Sequence, residues 1–247
     1  MSYTPRVWNN NDIVKHTDLN RIEQGIANSE QIPQNSITLY VSAYSGDNTT
    51  GTGEADKPFK TLDKAIDKFP CSNDKNVEYI LQVGPGEYPS LTLTSPKNIK
   101  MIISGNATVK GDILISCGKL SVVSSVEDAS FSAFEGNLTM LGGDLNVAVP
   151  LSVVQSSPGE GIGIDCREGA HLAVQNEVTI QNFNTAIRCI SSYLSLRNVQ
   201  TESSITGVIC ECGLVQLGRE SIQATTKFVA QHGGRIYVGA QAIGTSY

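Results

Sequence analysis

Apolar residues in the last two-thirds of the chain recur in one short phrase: a turn residue, one or two free positions, then apolar–any–apolar. It reads Gly118-Lys-Leu120-Ser-Val122 and Gly136-Asn-Leu138-Thr-Met140. It returns as Gly169-Ala-His-Leu172-Ala-Val174, Ser192-Tyr-Leu194-Ser-Leu196, Gly213-Leu-Val215-Gln-Leu217 and Gly233-Gly-Arg-Ile236-Tyr-Val238. The last four turn positions lie 23, 21 and 20 residues apart. At a shift of 21, Ile187/Val208, Cys189/Cys210, Leu194/Val215 and Leu196/Leu217 coincide, while most residues between them differ. The longer interval between 136 and 169 contains VPLSVVQSSPGEGIG, which reads as an inserted loop.

A period near 21 built from alternating strands and turns, without helices, predicts a β-solenoid. Coils stack at about 4.8 Å, so equivalent inward positions form ladders in which Ile, Val and Leu exchange freely and a charge does not fit. Leu172, Leu194, Val215 and Ile236 are expected on one interior ladder, and Val174, Leu196, Leu217 and Val238 on the next. Cys166, Cys189, Cys210 and Ala230 fall on a ladder of small residues. Seven or eight coils fit between residues 77 and 247. The leucine-rich pattern L-x-x-L-x-L-x-x-N is missing.

Two stretches carry a helical period instead. Leu19, Ile22 and Ile26 form one stripe after the N-capping Thr17, before Pro33. At about three turns this helix needs a partner surface. After a strand in which Ile37, Leu39 and Val41 alternate, Leu62, Ala65, Ile66 and Phe69 share the face of a second helix, capped by Thr61 and closed by Pro70. This second helix is placed to cover the first coil, because open solenoid ends invite edge-to-edge association. The chain therefore divides into residues 1–34, an entry strand, loop and capping helix over 35–76, and a solenoid over 77–247. The final GRIYVGAQAIGTSY runs off the last coil without a visible cap, so a neighbouring copy or further chain is expected there.

Composition narrows the function classes. Hydrophobic residues make up 40% and aromatics 6%, which fits a β core rich in Ile, Val and Leu. A net charge of −6 argues against a nucleic-acid surface. No apolar run is long enough for membrane insertion, and the N-terminus lacks the pattern of a signal peptide. Six cysteines in such a chain read as buried free thiols. CEC at 210–212 lacks metal-ligand spacing, and the loop carrying Asp47, Glu54 and Asp56 lacks the order of a calcium loop, so neither a metal nor a cofactor is expected.

Two stretches resemble known families. RVWNNNDIVKHTDLNRIEQGIAN resembles the N-terminal segment of bacteriophage fibre proteins, including the head-fibre family, through Trp8, Asp12, Leu19, Asn20, Ile22, Glu23, Gly25 and Ile26. YVSAYSGDNTTGTGEADKPFKTLDKAID resembles the entry to pectate-lyase-like right-handed β-helices. Together they imply an all-β, right-handed parallel β-helix of about 21 residues per coil, with a short helical N-terminal anchor and a capping helix. They further imply a homotrimeric structural protein on the virion surface, a head or tail fibre made in the host cytoplasm. Its N-terminus would meet other phage structural proteins and its helix would aid attachment to the host.

The alternative is a tailspike-type enzyme that degrades host surface polysaccharide with paired carboxylates. Its candidates are Glu160, Asp165, Glu168 and Glu177, but the positions equivalent to Asp165 on later coils are Arg188 and Ile209, so no acidic ladder forms. Arg167, Arg188 and Arg197 fall in no recognisable arrangement, His16, His171 and His232 are far apart, and no catalytic residue is assigned. Specificity is expected on the outer surface. The residue before the first ladder points outward as His171, Tyr193, Leu214 and Arg235, followed by Ala173, Ser195, Gln216 and Tyr237. Leu214 beside two tyrosines and an arginine reads as a trimer interface, with host glycan as the other use.

Overall fold

The structure, a computed structural model, describes residues 37–71 and 77–245. The proposed anchor residues Trp8, Asp12, Leu19, Asn20, Ile22, Glu23 and Ile26 lie outside the described residues. What is described is an all-β parallel solenoid of about eight turns with one short helix.

Each coil presents three strand positions. The first ladder contains β1 (Thr38–Val41), β2 (Tyr79–Val83), β5 (Asn98–Ile103), β8 (Lys119–Ser124) and β11 (Asp144–Val147). It continues through the starts of β14 (His171–Gln181), β16 (Tyr193–Glu211) and β17 (Leu214–Gln231) to β18 (Arg235–Val238). The second ladder is β3 (Gly86–Tyr88), β6 (Ala107–Val109), β9 (Phe131–Phe134) and β12 (Leu151–Val154), then the middles of the long strands. The third is β4 (Leu91–Leu93), β7 (Ile113–Ile115), β10 (Leu138–Leu141), β13 (Ile162–Arg167) and β15 (Thr185–Ile190), then the ends of β16 and β17.

Register follows the apolar ladders. Leu81 pairs Met101, which pairs Val122, then Val147, Val174, Leu196, Leu217 and Val238. Leu172, Leu194, Val215 and Ile236 stack in the adjacent inward row, as the sequence predicts, and all four are buried. The thiol ladder is also present: Cys166 pairs Cys189, Cys189 pairs Cys210, and Cys210 pairs Ala230. The period-2 alternation thus places one side chain in the dry core and the next outside on most strands, with β13 an exception in which Gly163 to Cys166 are all buried.

The Gly136–Met140 phrase belongs elsewhere than the sequence reading placed it. Leu138 pairs Ile113 and Ile164 on the third ladder, and the first-ladder strand between β8 and β14 is β11, with Leu145 and Val147 inward. Nor is 149–163 wholly a loop, because Leu151–Val154 forms β12 and pairs with β9 and β14. Both corrections share one cause. Turn–apolar–any–apolar recurs at all three corners of each coil, and the phrase does not encode which corner it occupies.

The helix α1 (Leu62–Lys68) begins at the predicted cap, with the Thr61 hydroxyl accepting from the Lys64 N–H at 3.4 Å. Asn48 fixes that cap: its carbonyl accepts the N–H groups of Lys60 and Thr61, and its amide donates to the Thr61 hydroxyl. Asp47 serves the same loop, accepting from the N–H groups of Thr49 and Thr50, which hold its carboxyl below the usual range. The helix buries Leu62, Ala65 and Ile66 in the solenoid core and lies against β1 and β4. Phe69 stacks on Tyr79 with ring centroids 4.8 Å apart. Asp63 ties α1 to the coil, accepting from the Ser90 hydroxyl and, at 2.6 Å, from the Thr92 N–H.

At the far end the chain does not run off the last coil. It reverses at Gly239 and Ala240, and β19 (Gln241–Thr245) returns antiparallel along β18, with Val238 opposite Gln241. Gly239 has φ +59°, the left-handed conformation that two-residue hairpins require. The last strand of the first ladder therefore has a partner within the chain, where the sequence showed no cap and a neighbouring copy or further chain was expected.

Candidate functional site

The outward rows of the first ladder carry the residues singled out for recognition. His171 pairs Tyr193, Tyr193 pairs Leu214, and Leu214 pairs Arg235. His171, Tyr193, Leu214 and Tyr237 are half-buried and Arg235 is exposed. Side-chain contacts link His171 and Tyr193 to each other and to Asp144 and Gln216. The His171 and Tyr193 rings lie 4.9 Å apart, His171 Nδ1 sits 3.6 Å from the Asp144 carboxylate, and the Tyr193 hydroxyl donates to Gln216 Oε1 at 2.7 Å. Leu214 is partly covered within one chain.

Beside this stripe runs a groove of about 510 Å³ across four coils, floored by Ala173, Ser195 and Gln216 and rimmed by Gln175 and Arg197. At the coil spacing of about 4.8 Å its length is roughly 14 Å. It meets a smaller cleft of about 290 Å³ between Arg197, Asn198, Gly218 and Arg219. Arg197 and Arg219 occupy the corner after the first ladder on successive coils, and both are exposed. The Arg197 guanidinium reaches over the coil below to the Gln175 carbonyl at 3.5 Å, and neither arginine is ion-paired among the described residues. The nearest acidic residue in register, Glu177, instead accepts from the Gln200 amide at 2.5 Å. Gly218 is dictated by packing, since a Cβ there would sit 2.3 Å from the Arg197 carbonyl oxygen.

The carboxylates considered for catalysis do not converge as a pair. Asp165, with 6% of its surface exposed, is held by two guanidiniums instead. Arg167 donates from Nε and Nη2 at 3.1 and 2.6 Å, and Arg188 from the same atoms at 2.9 and 2.6 Å. Burial pushes the Asp165 carboxyl up, and the Arg167 guanidinium pulls it back. With both oxygens engaged in this way, Asp165 reads as a structural anchor. Arg167 and Arg188, without recognisable arrangement in the sequence, are brought together by the solenoid: one lies two residues along the strand and the other directly on the next coil. Glu177 is on the first-to-second-ladder corner, Glu168 on a turn with φ +58°, and Glu160 on the loop before β13.

The stacked thiols differ: Cys166 and Cys189 hold their protons, whereas the hydrogen bond with Cys189 lowers the Cys210 thiol. Burial pushes the Cys166 thiol well up, with the Asp165 charge adding to it. A hydrogen bond to Cys210, together with burial, holds the proton on Cys189, and its Sγ lies 3.3 Å from the Ser192 carbonyl.

The groove was only half legible. Its floor is the second outward row noted in the sequence, but its arginine rim requires knowing that 197 and 219 share one corner. No family model, curated protein or solved structure matches this chain.

Proposed function

We propose that the chain is a structural appendage protein of a bacteriophage particle, a homotrimeric head or tail fibre. In this reading residues 1–34 bind the particle, and the β-helix, right-handed as nearly all parallel crossovers are, carries the surface that meets the host. Helix α1 closes the start of the solenoid, where its buried face covers the first coils. The observation that carries the reading is the presence of two features in one chain: the fibre-like segment from Trp8 to Ile26 and, after the entry strand, loop and helix, a parallel solenoid. A solenoid supplies a stiff, repetitive surface on which attachment residues recur coil by coil. The outer stripe of Tyr193, Leu214 and Tyr237 is the proposed contact between copies.

The test is deletion of residues 1–34 in a complementation experiment. The truncated protein is expected to fold and to be missing from purified particles. Its incorporation at the full-length level would overturn the anchoring role. Native mass measurement of the intact chain is expected to give three copies, and Leu214→Arg with Tyr237→Glu to give one. A monomeric wild-type chain would overturn the trimer.

A further inference from the structure

We propose that Cys189 and Cys210 are a covalent modification site, where a peroxide oxidises the two thiols to a disulfide that staples successive coils of the solenoid. The two residues pair directly on the third ladder, in register between β15 and β16. Neighbouring strands lie about 4.8 Å apart, within the roughly 4.4–6.8 Å between Cα atoms that a disulfide spans. Both are free thiols buried in the core. A hydrogen bond joins the two thiols. Space beside Cys189 comes from Gly213, where a Cβ would sit 2.9 Å from the Cys189 Sγ. The sulfurs are already in hydrogen-bond contact, so the bond forms without a change of register.

The ladder holds three thiols, and their surroundings select two. Cys189 stands between Cys166 and Cys210, one coil from each. At Cys166, burial and the charge of the adjacent Asp165 keep the proton on. At Cys210, the Cys189 hydrogen bond favours the thiolate against burial, and the Gly213 and Val215 backbone adds to it. The thiolate is the form that reacts. Access also favours Cys210, because the next position above it is Ala230, which is only half-buried.

The reaction balances with hydrogen peroxide as the two-electron oxidant. The Cys210 thiolate attacks one peroxide oxygen, so that an S–O bond forms as the O–O bond breaks. The departing hydroxide takes up the proton that Cys210 released and leaves as water. The Cys189 sulfur then attacks the Cys210 sulfur: the S–S bond forms, the S–O bond breaks, and hydroxide leaves with the Cys189 proton as a second water. Both sulfurs are oxidised and the peroxide is reduced.

This goes beyond the attachment role proposed above and does not rest on it, since every measurement is made on the purified full-length chain. Cys212→Ser leaves Cys210 as the one cysteine between Asn198 and Arg219. That protein is treated, folded, with hydrogen peroxide, its remaining thiols are alkylated, and it is digested with trypsin. Peptides 189–197 and 198–219 are expected joined, two hydrogens lighter than their sum, and parted again by dithiothreitol. The melting temperature is expected to rise by about 5 °C or more on oxidation and to fall back on reduction. Cys189→Ala and Cys210→Ala should each abolish the joined peptide and the rise. Alanine already occupies this ladder at Ala230, so both variants are expected to fold. Cys166→Ala should keep both effects. Absence of the joined peptide, a joined pair that includes Cys166, or an oxidised protein that melts no higher than the reduced one would each overturn the proposal.

Discussion

The Lys97 ammonium, on a residue with 5% of its surface exposed, donates a 2.7 Å hydrogen bond to the Ile66 carbonyl. Ile66 lies in the last turn of α1, at the negative end of the helix dipole, where its carbonyl also accepts the C-capping Phe69 N–H at 3.3 Å. A lysine 31 residues away thus supplies the helix C-terminus with both a donor and a positive charge. Lys97→Met keeps the aliphatic stem and leaves the carbonyl with the Phe69 N–H, at 3.3 Å, as its remaining partner. It is expected to lower unfolding free energy by about 1–3 kcal/mol, read as a shift of the urea midpoint with unchanged slope.

Thr201 lies in the second ladder between Ile180 and Ile222, 1% exposed, with a hydroxyl that finds no hydrogen-bond partner among the described residues. Every coil around it places an apolar side chain at that position. Thr201→Val preserves the shape and removes the stranded hydroxyl, so it is expected to stabilise by about 1–2 kcal/mol. Scanning calorimetry should show a melting temperature higher by a few degrees. A lower one would mean the hydroxyl has a partner after all.

Asp165 serves two arginines at once, which makes its loss and theirs unequal. Removing Arg188 leaves an intact Asp165–Arg167 pair, whereas Asp165→Asn leaves two cations facing each other. Asp165→Asn is expected to cost about 2–4 kcal/mol and Arg188→Gln about 1 kcal/mol. Equal effects in chemical denaturation would show that the three side chains do not act as a unit.

The Tyr88 ring is fully buried and its hydroxyl donates to the Gly84 carbonyl at 2.7 Å. Burial pushes its hydroxyl up from 10.0 to about 12. Between those values the unfolded chain gives up this proton and the folded chain keeps it, so stability present below pH 10 is lost as pH rises toward 12. The loss from this group is about 3 kcal/mol across that window. Tyr88→Phe should cost about 1 kcal/mol at neutral pH and show a flatter alkaline limb in denaturant titrations from pH 8 upward.

The interior was the legible part of this protein. Leu194 and Val215 could be placed in one ladder because a buried position tolerates only apolar residues, and a fixed coil length repeats that constraint in the sequence. The corner to which a strand belongs was not legible, as Leu138 shows, because period 2 looks the same on all three ladders. The hairpin after Val238 was hidden for a related reason: Gly239 and Gln241 are equally compatible with another coil. The Asp165 cluster and the groove depend on neighbours across coils. Polar residues there are free to vary, so no repeated signal marks them.

Register in this chain is transmitted upward. Each strand is laid on one formed roughly 21 residues earlier, so a slip in one coil would be inherited by every later coil and would turn its apolar row outward. Two irregularities show how unequal coils are kept in phase: the pairing of β14 with β16 skips between Val174 and Glu177, and that of β16 with β17 between Thr201 and Ser204. Both sit in stretches leading out of an inward row, where one surplus residue is absorbed before the next ladder begins. Length variation in the gene is therefore tolerable at these corners and ruinous a few residues away, so the corners are where new outward residues can be inserted without disturbing the stack beneath them.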